Sequence, residues 1–304
     1  MNFLLRTIVL LVVFISLGIT MVSYTFGVPW GPMYPPVEKF KDGLFTGAVV
    51  HFKRFDESLM KNILETARRY GIKLIISIGP SNPCSFFISE VGMDEKNTCD
   101  FRRKHVLIHI DVERIISLLK PFMEHGEIFD EYITDGTIVG IRIFDEPHDI
   151  DCSKFGGPRF ATVLPDDMNR IYQHLSLIFP KVVVGSTSPP CYMKRMKNGR
   201  LSFAQYRWDH RVPVDRFFRE QIIEARENDL FFIGALNSNS SAVGNDVFFK
   251  AIPLLCELGV DFVTLWKWKT DPRYPHPGVE DRIENISPEI LREIKRRCGQ
   301  IKTF

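Results

Sequence analysis

The sequence predicts an α/β fold, a (β/α)8 TIM barrel, carried behind an N-terminal transmembrane or signal helix. Three observations lead there. From Leu44 onward, eight short apolar runs alternate with longer amphipathic segments. Most runs are β-branched or aromatic and nearly continuous, as in strands covered on both faces. They span about 260 residues, close to the ~250 typical of such a barrel. An open doubly wound sheet is the competing arrangement, but no Gly-x-Gly-x-x-Gly follows the first run.

The chain divides at residues 27 and 43. Residues 1–27 begin MNFLLRTIVLLVVFISLGITMVSYT, where Arg6 is the one charged side chain before Glu38. Thr7 to Phe26 is long enough to span a bilayer as a helix. It reads as a signal anchor with Arg6 holding the N-terminus in the cytoplasm, or as a cleaved signal peptide. The apolar stretch exceeds the usual signal-peptide core and lacks an Ala-x-Ala site, which favours the anchor. Both readings put the remaining chain outside the cytoplasm, membrane-anchored or secreted. Residues 28–43 open with VPWGPMYPP and read as a Pro-rich linker.

Residues 44–304 form the barrel domain, with strand runs FTGAVVHF, KLIISIG, HVLIHI, IVGIRIF, KVVVGS, SFAQY, LFFIGAL and DFVTLW. Between them, Leu59, Ile63, Leu64 and Ala67 recur at helical spacing, as do Met168, Ile171, Tyr172 and Leu175. Ser287-Pro288-Glu289 reads as an N-cap followed by Pro at the first helical position. The fifth unit is the weakest, because PPCYMKRMKNGR leaves room for a short helix alone.

Composition narrows the function. Lys and Arg total 39 against 37 for Asp and Glu, a net charge of +2. With no basic stripe and no Gly-rich phosphate loop, nucleic acid is not an expected partner. The 25 Phe, 8 Tyr and 4 Trp supply enough apolar area to exclude a disordered chain. Six cysteines, none in a Cys-x-x-Cys pair, argue against a zinc ribbon. Cys84 and Cys99 bracket a loop that a disulfide would close. Cys152 and Cys191 follow strands at one end of the sheet, and Cys256 and Cys298 read as buried thiols on helices. Asn239-Ser240-Ser241 and Asn285-Ile286-Ser287 fit the glycosylation sequon.

The C-terminal ends of barrel strands carry the chemistry in this fold. In IVGIRIFDEPHD, alternation turns Val139, Ile141 and Ile143 toward the helices, and Gly140, Arg142, Phe144 and Glu146 into the barrel. Glu146 then stands at the mouth, where an apolar setting raises a carboxyl pKa and suits it to general acid work. A structural Glu paired with Arg142 is the competing reading.

The segment EIFDEYITDGTIVGIRIFDEP, with Glu-Pro closing the fourth strand, resembles glycoside-hydrolase-type (β/α)8 barrels. LSFAQYRWD resembles their sixth strand and GVDFVTLWKW their aromatic-ending eighth. The resemblance implies that Glu146 is the proton donor and Trp266 an aromatic floor for a sugar. Two departures matter. The seventh strand ends at Asn237 where retaining members carry a second Glu. Phe144 stands where chitinase-like members need an Asp, although Tyr206 matches their sixth-strand Tyr.

An inverting hydrolase fits what is left. It needs a second carboxylate about 6.5–9.5 Å from the acid. Asp209 is the first candidate, with Asp145, Asp149 and Asp271 in reserve; Asp145 faces away from Glu146 on a regular strand. His51, Tyr206, Trp208, Asn237 and Trp266 are the candidate substrate-binding residues, since flat rings and polar tips at strand ends suit sugars. Asp145, Glu146, His148, Asp149 and Asp151, with His51, form the one cluster that suggests a divalent metal. Without a His-x-His or His-Glu-x-x-His pair, no metal and no cofactor are expected. Three functions follow: a glycoside hydrolase acting on an extracytoplasmic glycan, a silent carbohydrate- or partner-binding barrel, and a metal-dependent hydrolase or lyase. Expected partners are a carbohydrate and, through the N-terminal helix, a membrane.

Overall fold

The computed structural model describes residues 27–80, 86, 107–145, 162–208, 212–238, 243–270 and 276–299. Among them, eight strands form one parallel sheet: β1 (Trp30–Pro32), β2 (Gly47–Phe52), β3 (Lys73–Ile78), β4 (Ile138–Asp145), β5 (Val184–Thr187), β6 (Leu201–Tyr206), β7 (Phe231–Asn237) and β8 (Phe262–Trp266). From β2 to β8 each strand pairs with the next, and β8 pairs back onto β1, with Trp30 opposite Val263. Between β1 and β2 the ladder shrinks to a bridge from Met33 to Val49. There the Tyr34 N–H donates to Val49 O at 2.8 Å, and the Thr46 N–H to Trp30 O at 3.0 Å. The ring is nearly closed, as in a (β/α)8 barrel.

Seven of the eight expected strands take their places in the ring, one is lost and one is gained. The segment expected as a linker supplies β1: Trp30 is buried at 2% exposure and its N–H donates to Thr46 Oγ1. Four prolines around it hid the strand, because Pro removes ladder donors and erases the period-2 pattern. Conversely, HVLIHI is not a barrel strand. Among its described residues, Leu107–Ile108 is a strand that pairs with Thr162–Val163 in a separate two-stranded sheet. Its composition suits a strand, but β3 pairs directly with β4 and leaves it no place in the ring.

The helices are α1 (Glu57–Tyr70), α2 (Val112–Glu124), α3 (Glu127–Thr134), α4 (Pro165–Ile178), α5 (Pro190–Met193), α6 (Val214–Glu227), α7 (Asn245–Leu258), α8 (Val279–Ile283) and α9 (Pro288–Cys298). The Asp56 side chain caps α1 by accepting from Leu59 N, and Gly71 ends it in the left-handed conformation at φ 67°. The α4 stripe Met168, Ile171, Tyr172, Leu175 is wholly buried, as its spacing predicts. On α1 the buried face is Met60, Leu64 and Ala67, which leaves Leu59 half exposed. Ser287 caps α9.

Alternation along the strands sorts the core into two layers. Met33, Val49, Ile75, Phe203, Ile233 and Phe262 belong to the cluster inside the ring. Ile76, Ile141, Ile143, Leu236 and Leu265 pack outward among the helices. A Cβ at Gly140 would lie 2.6 Å from Leu201 Cδ1 and 2.8 Å from Ile75 Cδ1, so those inner side chains would have to shift to admit it.

A disulfide joins Cys256 of α7 to Cys298 of α9, correcting the expectation of two buried thiols. The pairing was hidden because the two cysteines are 42 residues apart in sequence, on different helices. Cys191 is also disulfide-bonded; Cys84, Cys99 and Cys152 lie outside the described residues. Residues 1–26 lie outside them too, and among the described residues no helix is long and apolar enough to cross a membrane.

Candidate functional site

At the C-terminal ends of the strands, the inward positions turn from apolar to polar. His51 follows Val49 on β2, Ser77 follows Ile75 on β3, and Arg142 follows Gly140 on β4. Gln205, Asn237 and Trp266 hold the matching positions on β6, β7 and β8. A polar layer thus rests on an apolar plug at the end where barrels of this type carry their sites.

The end of β4 departs from regular alternation. Pairing with β5 slips between Arg142 and Asp145, and Phe144 adopts φ 58°. Its ring leaves the barrel interior and packs in the outer layer, 6.3 Å from Phe86. A left-handed non-glycine residue costs about 1–2 kcal/mol, and burying a Phe ring returns about 1.5–3 kcal/mol, so burial wins. The slip corrects the expectation that Phe144 faces inward, and it brings Asp145 over Arg142. The Asp145 Oδ1 lies 3.7 Å from Arg142 Nη1, with the Asp145 side chain 46% exposed and Arg142 only 2%.

Arg142 ties three strands together. Its Nη1 donates to Thr187 Oγ1 of β5 at 2.6 Å, and its Nη2 donates to the hydroxyl of Tyr34, just past β1. Thr187 Oγ1 in turn donates to Phe144 O at 3.2 Å, bracing the irregular backbone. Among the described residues, the buried Arg142 Nε has no hydrogen-bond partner. Tyr34, also at positive φ (63°), sets its ring 6.1 Å from that of His51. Burial, the largest influence, pushes the Tyr34 hydroxyl pKa up against the pull of Arg142, so the phenol keeps its proton.

His51 Nε2 lies 2.9 Å from Gly79 O. A carbonyl oxygen only accepts, so Nε2 carries the proton and neutral His51 offers Nδ1 as an acceptor. Burial holds its pKa below 6.5, and the charges of Arg142 and Lys53 act the same way. The folded chain therefore binds this proton less readily than the unfolded chain. The resulting stability is present above pH 6.5 and is lost as pH falls below it toward the folded pKa. The fall in Tm between about pH 7 and pH 5 is expected to shrink in His51→Gln; an undiminished fall would contradict this.

The structure brings His51 to the mouth, and Trp266 ends β8 half-buried against the inner cluster. Trp266 is joined to Lys267 by a cis peptide bond. Asn237 is 2% exposed, and its amide donates to Gln205 Oε1 at 3.3 Å. Tyr206 does not join them. It is buried in the outer layer against Phe217 and Phe218, its hydroxyl donating to Val212 O at 2.9 Å. Trp208 packs edge-on against Tyr206 at 5.3 Å and beside Phe248 at 6.2 Å, between strand end and helix. Alternation from Leu201 and Phe203 points to Gln205, not Tyr206, as the inward residue. Tyr34 was missed because its segment read as a linker.

Glu146, Asp209, Asp149 and Asp271 lie outside the described residues, as do His148 and Asp151 of the possible metal cluster. Among the described residues no three His, Cys, Asp or Glu side chains come together as a metal-binding group.

Solved structures share this fold. The endo-β-1,4-mannanase from Thermotoga petrophila is similar over 90% of this chain and 77% of its own, with 13% identity and a TM-score of 0.55. The endo-1,4-β-mannanase from Rhizomucor miehei matches over 90% and 94%, with 10% identity and a TM-score of 0.54. The endocellulase from the archaeon Pyrococcus horikoshii matches over 86% and 85%, with 12% identity and a TM-score of 0.52. No protein-family model matches the chain, and no curated protein does. At these identities the likeness is one of fold.

Proposed function

We propose that this chain is a glycoside-hydrolase-like barrel acting on an extracytoplasmic glycan, with Glu146 as proton donor. The observation that carries the reading is the cluster of Tyr34, His51, Arg142 and Asp145 at the C-terminal mouth. Two of its members, Arg142 and Asp145, lie on β4, whose sequence leads directly into Glu146, at the end where (β/α)8 enzymes do their chemistry. Similarity in fold to two endo-mannanases and an endocellulase makes a β-1,4-linked polysaccharide the first substrate class to try. The buried Cys256–Cys298 bridge suits an oxidising compartment, consistent with export behind the apolar N-terminal segment as anchor or signal. The exposed Asn285 sequon suits glycosylation there.

A silent carbohydrate-binding barrel is the second reading, favoured by Asn237 at the end of β7. The resemblance places a retaining enzyme's second Glu there, and the amide is spent on Gln205. Purified protein incubated with β-1,4-mannan, β-1,4-glucan and aryl glycosides separates the two. Release of new reducing ends supports the hydrolase, and binding without release supports the silent module. Neither binding nor release would overturn both.

A further inference from the structure

We propose that Tyr34 is a specificity-determining residue: its hydroxyl donates to one hydroxyl of the bound sugar, while His51 Nδ1 accepts from another on the same sugar ring. The inference rests on the glycan reading above and deepens it. It adds a residue that the sequence hid in a segment expected as a linker.

The backbone sets Tyr34 at the mouth. Its N–H donates to Val49 O at 2.8 Å, beside the bridge from Met33 to Val49, and its φ is 63°. The ring packs half-buried against the inner cluster. Arg142 Nη2 donates to the hydroxyl. A guanidinium only donates, so the phenol oxygen accepts that bond and its own proton must go elsewhere. Among the described residues that proton has no acceptor. A bond accepted from a cation polarises the O–H and makes it a stronger donor.

His51 supplies the complement. Its Nε2–H is spent on Gly79 O at 2.9 Å, so Nδ1 keeps a lone pair that meets no donor among the described residues. The two rings stand 6.1 Å apart between centroids, close enough for hydroxyls of a single sugar ring to serve both. One open donor beside one open acceptor selects chemistry. A sugar hydroxyl can both accept and donate, whereas a carboxylate has no proton for Nδ1 and an ammonium no lone pair for Tyr34. The pair therefore fits a neutral sugar ring with both hydroxyls free. A ligand lacking either one leaves a half-buried polar group unpaired, which is how such sites discriminate.

Calorimetric titration of wild type, Tyr34→Phe and His51→Phe with mannotriose, cellotriose and their monodeoxy derivatives tests it. Wild type is expected to bind two of the derivatives, both altered on one sugar ring, about 3–10-fold more weakly than their parent. Tyr34→Phe should bind the parent weaker by a similar factor and lose nothing further for one of the two. His51→Phe should show the same indifference to the other. A Tyr34 that only seats Arg142 would instead give a variant weakened alike for every ligand, and that result would overturn the proposal. So would unchanged parent affinity in Tyr34→Phe. Wild type binding every derivative as tightly as the parent would also overturn it, with no variant required to fold. In each of these cases the glycan reading stands. Wild type binding neither trisaccharide would defeat that reading itself.

Discussion

Glu146→Gln is expected to slow polysaccharide hydrolysis by about 10²–10⁴-fold, the range that a positioned proton donor contributes. Each factor of ten corresponds to about 1.4 kcal/mol of transition-state stabilisation, so the loss is about 3–5 kcal/mol. Gln keeps the volume and the hydrogen-bonding ends of Glu but has no transferable proton. A sugar hydroxyl is a poor leaving group and needs that proton, whereas dinitrophenolate leaves without it. The deficit should therefore be large on mannan or glucan and small on dinitrophenyl glycosides. Initial rates on both substrates check this. An equal deficit on the two would assign Glu146 to substrate binding or structure instead.

The second large effect concerns stability. Replacing Cys256 and Cys298 by Ala opens a covalent loop spanning 42 residues. Chain-entropy arguments assign about 4 kcal/mol to a loop of that length. At about 2–4 °C per kcal/mol for a domain this large, Tm should fall by about 8–15 °C. Both cysteines are buried, at 0% and 3% exposure, so small cavities add to the loss. Thermal melts without reductant measure it. A change below about 2 °C would mean that packing between α7 and α9 fixes the C-terminal helix by itself.

The barrel was legible because seven of its strands announce themselves as short, nearly continuous runs of β-branched and aromatic residues. The eighth, β1, was not, because prolines on both sides of Trp30 mask a strand of three residues. Arg142 could be placed inside the barrel from alternation, and His51 likewise follows from Val49. Alternation failed two residues after Arg142, where the gain from burying Phe144 outweighs a strained backbone. That event brings Asp145 within 3.7 Å of Arg142, and no period-2 pattern registers it. Tyr206 shows the opposite error. Its resemblance to a sugar-binding Tyr outweighed an alternation that points it at Phe217 and Phe218. Disulfide pairing was out of reach for another reason: the Cys256 and Cys298 Cα atoms come within 5.2 Å only after two helices have docked.

The central claim is that sugar binds at the mouth, across Trp266 and beside His51. Titrating wild type and Trp266→Ala with manno- and cello-oligosaccharides by calorimetry tests it most directly. The account predicts measurable binding by wild type and at least about tenfold weaker binding by the variant, since stripping a stacking ring costs about 1.4 kcal/mol or more. Equal affinity in the two proteins, both correctly folded, would contradict it.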